Sequence, residues 1–286
     1  MSTPYKNARS FLDALTDHLR RISVEEKLDI NRLRRQIAFE RFLERLFHNE
    51  DSPWVLKGGY SLEIRLKMAR ATKDIDLVHR EMKLSSQNPK ERAIAIQEEL
   101  AKYVNFDLQD FFQFNIGVSK MDLKGPVEGG FRFPVESRVD GKIFARFFID
   151  VALGETAILP MDMIQPQNWL EFAGFKSKGF LAYSIEQHFA DKFHAYTKPR
   201  PVRSRVKDLV DMILILDSFS MDRDKLKSSI DLIFKEHATH SIPTDVSEPP
   251  SNWNAPFHQM AELSGISLSL EESFDRIRKF ILSLNL

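Results

Sequence analysis

The chain has 286 residues, enough for one large domain or two smaller ones, and its 41 lysines and arginines balance its 41 aspartates and glutamates. This zero net charge gives no bulk attraction to nucleic acid, so an RNA partner would need local clusters of cations. The absence of cysteine excludes disulfides, thiolate zinc sites and cysteine nucleophiles. The N-terminus has no apolar signal core and no apolar run could span a bilayer, so we expect a soluble, cytoplasmic protein without membrane association.

The N-terminal region is predicted to contain two amphipathic helices, at about residues 7–22 and 29–47. In the second helix the helical spacing turns leucine and isoleucine side chains inward. Five arginines are assigned to the opposite, solvated face, with Glu40 and Glu44 as acidic partners: Arg32, Arg34, Arg35, Arg41 and Arg45.

Strand and helix patterns alternate through the next part of the chain. The predicted strands are 54–57, 74–78, 112–118 and 142–153, and the predicted helices are 61–67 and 88–104. Gly58-Gly59 is interpreted as a turn after the first strand. In the last strand, alternation places Phe148 and Asp150 on one face and four apolar residues on the other: Ile143, Phe147, Ile149 and Val151.

Strand patterns end at about Tyr183. Helices are predicted at 185–196, 206–219, 222–235 and 270–284, and the polar stretch 240–254 is predicted to be a surface loop. The fold class is therefore α+β. We expect a first domain, 1–182, that includes the N-terminal helices of residues 7–47, and a helical C-terminal domain, 183–286.

Two aspartates in the strand Asp74 to Val78 form the strongest chemical signal. Residues two apart on a strand project to the same side, so Asp74 and Asp76 can bind one ligand. Mg²⁺ prefers hard oxygen ligands, usually one or two carboxylates completed by phosphates and water. A D-x-D pair by itself is weak evidence, because most such pairs are solvated strand or turn residues.

Two further features strengthen the metal hypothesis. The Gly58-Gly59 turn leaves backbone N–H groups free to approach a triphosphate closely. Asp150 lies in an otherwise apolar strand, where a carboxylate is costly unless it is paired or binds a metal. The alternatives for Asp150 are capping of a turn at the strand end and pairing with Arg146.

A basic segment, residues 192–207, contains six cations and no acid: Lys192, Lys198, Arg200, Arg203, Arg205 and Lys207. It is interpreted as a phosphate-facing loop for a triphosphate or an RNA backbone, the alternative being a solvated loop. Asp208 and Asp211 follow directly and share one face of a helix. They are either site residues or acids that match the helix dipole.

Four ordered segments together resemble a known family: K-G-G-Y-S-L-E-I-R (57–65), R-A-T-K-D-I-D-L (70–77), D-K-F-H-A (191–195) and R-V-K-D-L-V-D-M (205–212). They are similar to the motifs of the AbiEii/AbiGii nucleotidyltransferase toxins of type IV toxin–antitoxin and abortive-infection systems, including the MenT type. The glycine pair and D-x-D alone would indicate only the wider DNA polymerase β-like superfamily.

The resemblance implies two lobes, a polymerase-β-like nucleotidyltransferase lobe and an α-helical lobe, with the active site between them. It implies metal binding by Asp74, Asp76 and Asp150, and phosphate contacts from Gly58, Gly59 and Ser61. Lys192 would neutralise triphosphate charge, and Asp211 would be a catalytic carboxylate of the second lobe. Four further nucleotide contacts complete the implied site: Lys57, Arg65, Lys207 and Asp208.

The resemblance also implies substrates and partners. The cofactor would be Mg²⁺ or Mn²⁺, and the substrate an NTP whose nucleoside monophosphate is transferred to an acceptor. For some members of the family the acceptor is the 3′ end of tRNA, which blocks translation. An AbiEi-like antitoxin would be encoded nearby.

Two other functions stay open at this point. A metal-dependent phosphodiesterase or nuclease could use the same carboxylates, although no paired-histidine ligand motif is found. A catalytically inactive regulator could retain the nucleotide pocket, although the presence of every candidate carboxylate argues against it.

Overall fold

The computed structural model describes residues 4–67, 72–82, 86, 88–119, 121–122, 129–200 and 205–286. Arg70 and Arg203, from two of the segments above, lie outside these residues. The chain divides into two compact units. The first is formed by Met1–Arg65, Ala71–Glu155 and Met163–Ala182, and the second by Leu66–Arg70, Thr156–Asp162 and Tyr183–Leu286.

Helices α1 (Ala8–Glu25) and α2 (Ile30–Leu46) open the first unit, close to the predicted bounds. Each begins at a side-chain cap: Asn7 accepts from the N–H of Ser10, and Asp29 accepts from the N–H of Arg32. Such caps satisfy N–H groups that the first helical turn leaves without partners.

The solvated face predicted for α2 is wrong for its C-terminal half. Arg41 and Arg45 are 3% and 2% exposed, and Glu40 and Glu44 are buried as well. Both arginines donate to the fully buried Asp110, with Arg41 Nε 2.7 Å from Oδ2 and Arg45 Nη2 2.7 Å from Oδ1. The helix is enclosed because α1 and the sheet both pack against it, so Arg41 and Arg45 are paired with a buried acid inside the unit.

Within the described residues, eight strands form one sheet. They are β1 (Trp54–Lys57), β2 (Asp74–His79), β3 (Gln113–Ile116), β4 (Met121–Asp122), β5 (Gly130–Val139), β6 (Lys142–Ala152), β7 (Asp162–Ile164) and β8 (Phe180–Ala182). Their order is β3-β5-β6-β2-β1-β8-β7, and β4 pairs with β5 outside this path. The central strand β2 runs parallel to β6 and antiparallel to β1.

Three features of this sheet differ from the sequence prediction. Strands β4, β5, β7 and β8 were not predicted. Gly58-Gly59 is not a separate turn, since helix α3 (Gly58–Leu66) begins at Gly58, directly after β1. Ile143, predicted to face inward, is 42% exposed while Phe144 is buried, because the pairing of β5 and β6 shifts register between Ser137 and Arg138.

Helix α4 (Pro89–Val104) begins at the predicted Asn88 cap and lies in the first unit. The second unit contains α5 (Ile185–Thr197), α6 (Val206–Ser218), α7 (Arg223–His237), α8 (Asn254–Leu263) and α9 (Leu270–Leu284). Four of these were predicted within two residues at each end, whereas α8 was not predicted. No helix among the described residues is long and apolar enough to cross a membrane.

Candidate active site

Strand β2 presents two carboxylates on one face of the sheet. Asp74 and Asp76 are partly exposed, while the alternate residues Ile75 and Leu77 are fully buried and fix the strand in the core. Asp76 lies opposite Asp150 in the parallel register of β2 and β6. The structure therefore brings all three predicted carboxylates to one face of two adjacent strands.

Arg132 on β5 binds this carboxylate group from the neighbouring strand. Its Nε lies 2.7 Å from Asp150 Oδ1, and its Nη2 lies 2.5 Å from Asp150 Oδ2 and 3.1 Å from Asp74 Oδ2. The hydrogen bond to Asp150 and the charges of the three aspartates raise the pKa of Arg132 above its usual value, although burial opposes this. Asp150 is thus paired with Arg132, and Arg146, the partner considered from the sequence, binds Glu136 at 3.0 Å instead.

The donor set fits a divalent cation in its chemistry. Asp74, Asp76 and Asp150 offer hard oxygen ligands around a position where the structure already places a positive group, the Arg132 guanidinium. In the part of the chain that the structure describes, no group of three or more His, Asp or Glu side chains has the geometry of a metal cage. A metal held by Asp74 and Asp76 would therefore need water and phosphate oxygens to complete its shell.

The start of α3 lies against Asp76. Gly58 has φ +66°, and a Cβ built on it would lie 2.0 Å from Asp76 Oδ2, so only glycine fits both the backbone and the contact. The first N–H groups of a helix have no partners within the helix and favour anions. This junction places the N-terminal end of a helix directly beside one of the three carboxylates.

A buried glutamate connects α2, α3 and the residues that precede β2. Glu63 accepts from Arg32 Nη2 at 2.9 Å, from Gln36 Nε2 at 2.8 Å and from the backbone N–H of Thr72 at 3.0 Å. The hydroxyl of Thr72 donates to Asp74 Oδ1 at 3.0 Å. Burial raises the pKa of Glu63, while the Thr72 and Arg32 contacts oppose the rise. Sequence reasoning missed this network, because nothing in the local pattern of Glu63 sets it apart from a solvated helix residue.

The other predicted phosphate contacts of the first unit are placed differently. Lys57 at the end of β1 forms an ion pair with Glu155. Ser61 is fully buried, and its hydroxyl accepts from Arg65 Nη1 at 2.9 Å. Gly59 lies in the first turn of α3. Among these residues, Gly58 and Gly59 lie where a triphosphate could meet backbone N–H groups.

In the second unit the structure brings together Lys192, Asp208 and Asp211. Lys192 Nζ, on α5, lies 2.8 Å from Asp211 Oδ2 and 3.5 Å from Asp208 Oδ1, both on α6. Arg205 Nη1 lies 3.3 Å from Asp208 Oδ2. Asp211 is 0% exposed, and a buried carboxylate of this kind requires a cationic partner.

The basic segment continues beyond this cluster. Burial and the charges of Arg200 and Arg205 lower the pKa of Lys198, which indicates cations crowded without enough compensating acid. Lys207 is exposed at the start of α6. This crowding is typical of a surface that binds anions.

A mixed sheet with two carboxylates on its central strand, a third on the adjacent parallel strand and a glycine-initiated helix beside them defines the nucleotidyltransferase class of fold and site. Residues 41–279 match the family model described as nucleotidyl transferase AbiEii toxin, type IV toxin–antitoxin system. The chain belongs to this family and is a nucleotidyltransferase. The resemblance seen in the four sequence segments and the α+β fold class are thereby confirmed.

Solved structures share the fold at low sequence identity. The nucleotidyltransferase toxin MenT4 from Mycobacterium tuberculosis is 14% identical, with a TM-score of 0.58 over 93% of this chain and 96% of that one. A putative nucleotidyltransferase from Helicobacter pylori is 15% identical, with a TM-score of 0.51 over 90% of this chain and 96% of that one. Comparison with curated protein sequences gave no significant match.

Proposed function

We propose that this chain is a Mg²⁺-dependent toxin that transfers a nucleoside monophosphate from an NTP to the 3′ end of tRNA in the cytoplasm and so blocks translation. The observation that carries the proposal is the group Asp74, Asp76 and Asp150 beside the start of α3 at Gly58. The alternatives are a catalytically inactive regulator and a phosphodiesterase or nuclease.

The reaction needs little covalent chemistry from the protein. An acceptor hydroxyl oxygen forms a bond to the α-phosphorus, and the bond between that phosphorus and the oxygen bridging to the β-phosphate breaks. Pyrophosphate leaves with the electron pair of the broken bond, and the hydroxyl proton passes to water. Catalysis of such a step rests on positioning and charge neutralisation. A bound Mg²⁺ would neutralise phosphate charge and orient the triphosphate.

The residues of the first unit are proposed to divide this work. Asp74 and Asp76 would hold the metal, with Asp150 as the third carboxylate, and the backbone N–H groups of Gly58 and Gly59 donate to phosphate oxygens. The junction of β1 and α3 is supported by the ion pair of Lys57 with Glu155 and by the hydrogen bond that Arg65 donates to Ser61.

The residues of the second unit are proposed to act on charge. Lys192 neutralises the triphosphate, and Asp208 and Asp211 orient its ammonium group through the ion pairs at 3.5 and 2.8 Å. Lys207 and the rest of the basic segment contact phosphate of the nucleotide or of the RNA. In a chain of zero net charge this segment is the feature that supports an RNA acceptor.

Membership of a type IV toxin family supports an antitoxin partner, which we propose to be an AbiEi-like protein encoded nearby.

The test uses the purified protein, each α-³²P-labelled NTP in turn, Mg²⁺ and total tRNA. We expect label in the tRNA for the wild type, and a loss of at least about a hundred-fold in rate for Asp76→Asn, because a metal ligand that acts in the transition state is removed. Asp17→Asn, at an exposed helical position, is the matched control and should retain the wild-type rate.

Three outcomes decide among the functions. No transfer to tRNA, other RNA or protein, whichever NTP is used, would support an inactive regulator and overturn the proposal. Shortening of the RNA that depends on Asp76 would support a nuclease. Label in protein alone would keep the nucleotidyl transfer and reject the tRNA acceptor.

A further inference from the structure

A cavity is lined by residues that neighbour Asp74 along the chain and on the adjacent strand β6. Its volume is about 440 Å³, within the range of roughly 300–1,000 Å³ that small-molecule sites occupy. Its wall includes Lys73, which directly precedes Asp74, and Phe148, which is opposite Asp74 in the register of β2 and β6. The cavity therefore adjoins the carboxylate group at Asp74.

The polar wall of this cavity carries an excess of positive charge. Arg35, Lys73 and Arg146 line it together with one acid, Glu136, which binds Arg146 at 3.0 Å. Among the described residues neither Arg35 nor Lys73 forms an ion pair, and Arg35 Nε is buried without a hydrogen-bond partner. Unneutralised cations on a cavity wall favour an anionic ligand.

The remaining wall matches a nucleoside. Asn115 carries an amide that can both donate to and accept from a base edge, and Phe148 presents an aromatic ring that already lies under the guanidinium of Arg132, 5.4 Å from its centroid. Single-stranded nucleic acid is bound by this combination of cations for the backbone and aromatic or guanidinium planes for the bases.

The topology places this cavity where an acceptor is required. Strand β2 lies between β1, which leads into α3, and β6, whose residues line the cavity. In-line displacement at phosphorus needs the attacking oxygen and the leaving pyrophosphate on opposite sides of the phosphorus. With the triphosphate at α3, next to β1, a hydroxyl on the opposite side of the phosphorus would lie toward β6.

We propose that the cavity lined by Arg35, Lys73, Asn115, Arg146 and Phe148 binds the 3′-terminal nucleotide of a single-stranded RNA end and presents its hydroxyl to the Asp74–Asp76 site. This inference rests on the proposed function, because it assigns the acceptor subsite of that reaction. The cationic side chains bind the last phosphodiester groups of the RNA, and Asn115 contacts the base.

The first experiment is kinetic and uses Arg35→Gln and Lys73→Gln in the full chain. Each removes one charge-assisted contact, so we expect the KM for tRNA to rise roughly ten-fold while the KM for the NTP stays unchanged. Arg20→Gln, an exposed arginine of α1, is the matched control and should change neither constant. A variant KM for tRNA equal to that of the control would overturn the subsite, and so would a rise in the KM for NTP alone, which would assign the cavity to the donor.

The second experiment does not depend on turnover. Binding of a fluorescein-labelled single-stranded RNA hexamer is followed by anisotropy at several salt concentrations. Loss of one phosphate contact should reduce the slope of log Kd against log salt by about 0.7 in each variant but not in Arg20→Gln. Unchanged slopes would reject the cavity even if tRNA is labelled. An enzyme that binds the hexamer through Arg35 and Lys73 but transfers no nucleotide would reject the proposed reaction and keep the binding site.

Discussion

Arg132 is the residue that most changes the picture of the carboxylate group. It binds Asp150 through two nitrogens, one of which also contacts Asp74. The negative charge of the three aspartates is therefore partly neutralised by a cation of the protein itself. The guanidinium and a metal ion would compete for the same oxygens. The affinity of the site for metal should therefore depend on Arg132 as much as on the aspartates.

This competition predicts the behaviour of Arg132→Gln. Without Mg²⁺ the variant should lose about 1–2 kcal/mol of stability, because Arg132 and Asp74 are about a third exposed and solvent screens part of the pairing. Added Mg²⁺ should then raise the Tm of the variant more than that of the wild type, since ligand binding to the folded state stabilises it by mass action. Differential scanning fluorimetry with and without EDTA measures both effects.

The control is Arg138→Gln, which removes another arginine of β5, paired with Glu136 and away from Asp74. It should show the wild-type response to Mg²⁺. Equal Mg²⁺ responses in Arg132→Gln and Arg138→Gln would mean that Arg132 does not compete with a metal.

At the scale of elements, the junction of β1 and α3 is the most constrained part of the site. Gly58→Ala would place a methyl group where Asp76 Oδ2 now lies, in addition to the strain of φ +66°. We expect the carboxylate to be pushed aside, with a loss of transfer rate of at least about ten-fold, because an error near 1 Å in the position of a catalytic group is costly.

Gly141→Ala separates backbone strain from the contact with Asp76. Gly141 has φ +70° in the turn between β5 and β6, and no atom lies within 4 Å of its added Cβ. Both variants should lose about 1 kcal/mol of stability from the backbone conformation. Only Gly58→Ala should lose activity in the labelled-NTP assay, and equal activities in the two variants would contradict the role given to Gly58.

These elements also show how far sequence reasoning reaches. The alternation in Asp74–His79 was sufficient to place Asp74 and Asp76 on one face, since two-residue periodicity is a local property. Arg132 was missed because β5 was not recognised. Its segment F-R-F-P-V alternates, but Pro134 argues against a strand, and Arg132 meets Asp150 only through the pairing of β5 with β6.

The burial of Arg41 and Arg45 was beyond local patterns for a similar reason. A helix face rich in charge is usually solvated, and only the distant Asp110 makes its burial tolerable. Burial acts to raise the pKa of Asp110, but the hydrogen bonds and charges of Arg45 and Arg41 outweigh it and hold that pKa below its usual range. Pairings between residues far apart in the sequence are what a single sequence does not reveal.

At the scale of the whole molecule, a buried acid in α2 should set how stability depends on pH. Glu40 is 1% exposed, and burial, with a smaller contribution from the charge of Glu44, raises its pKa from 4.5 to about 7 although Arg41 opposes the rise. Between these two pH values the folded chain retains a proton that the unfolded chain releases. Stability therefore falls as the pH rises through this window, and above about pH 7 the full cost of the buried charge is present.

Glu40→Gln should remove this dependence, because a neutral amide of nearly the same shape has no charge to bury. Relative to the wild type, the variant should gain stability on going from about pH 5 to about pH 8, with a difference on the order of 3 kcal/mol from a shift of this size. Urea unfolding at both pH values measures it. Glu25→Gln, at the exposed end of α1, should leave the pH dependence unchanged. A Glu40→Gln protein that follows the wild-type curve would mean that Glu40 is already ionised in the folded chain at the lower pH, and the decline in stability would then have to come from another group.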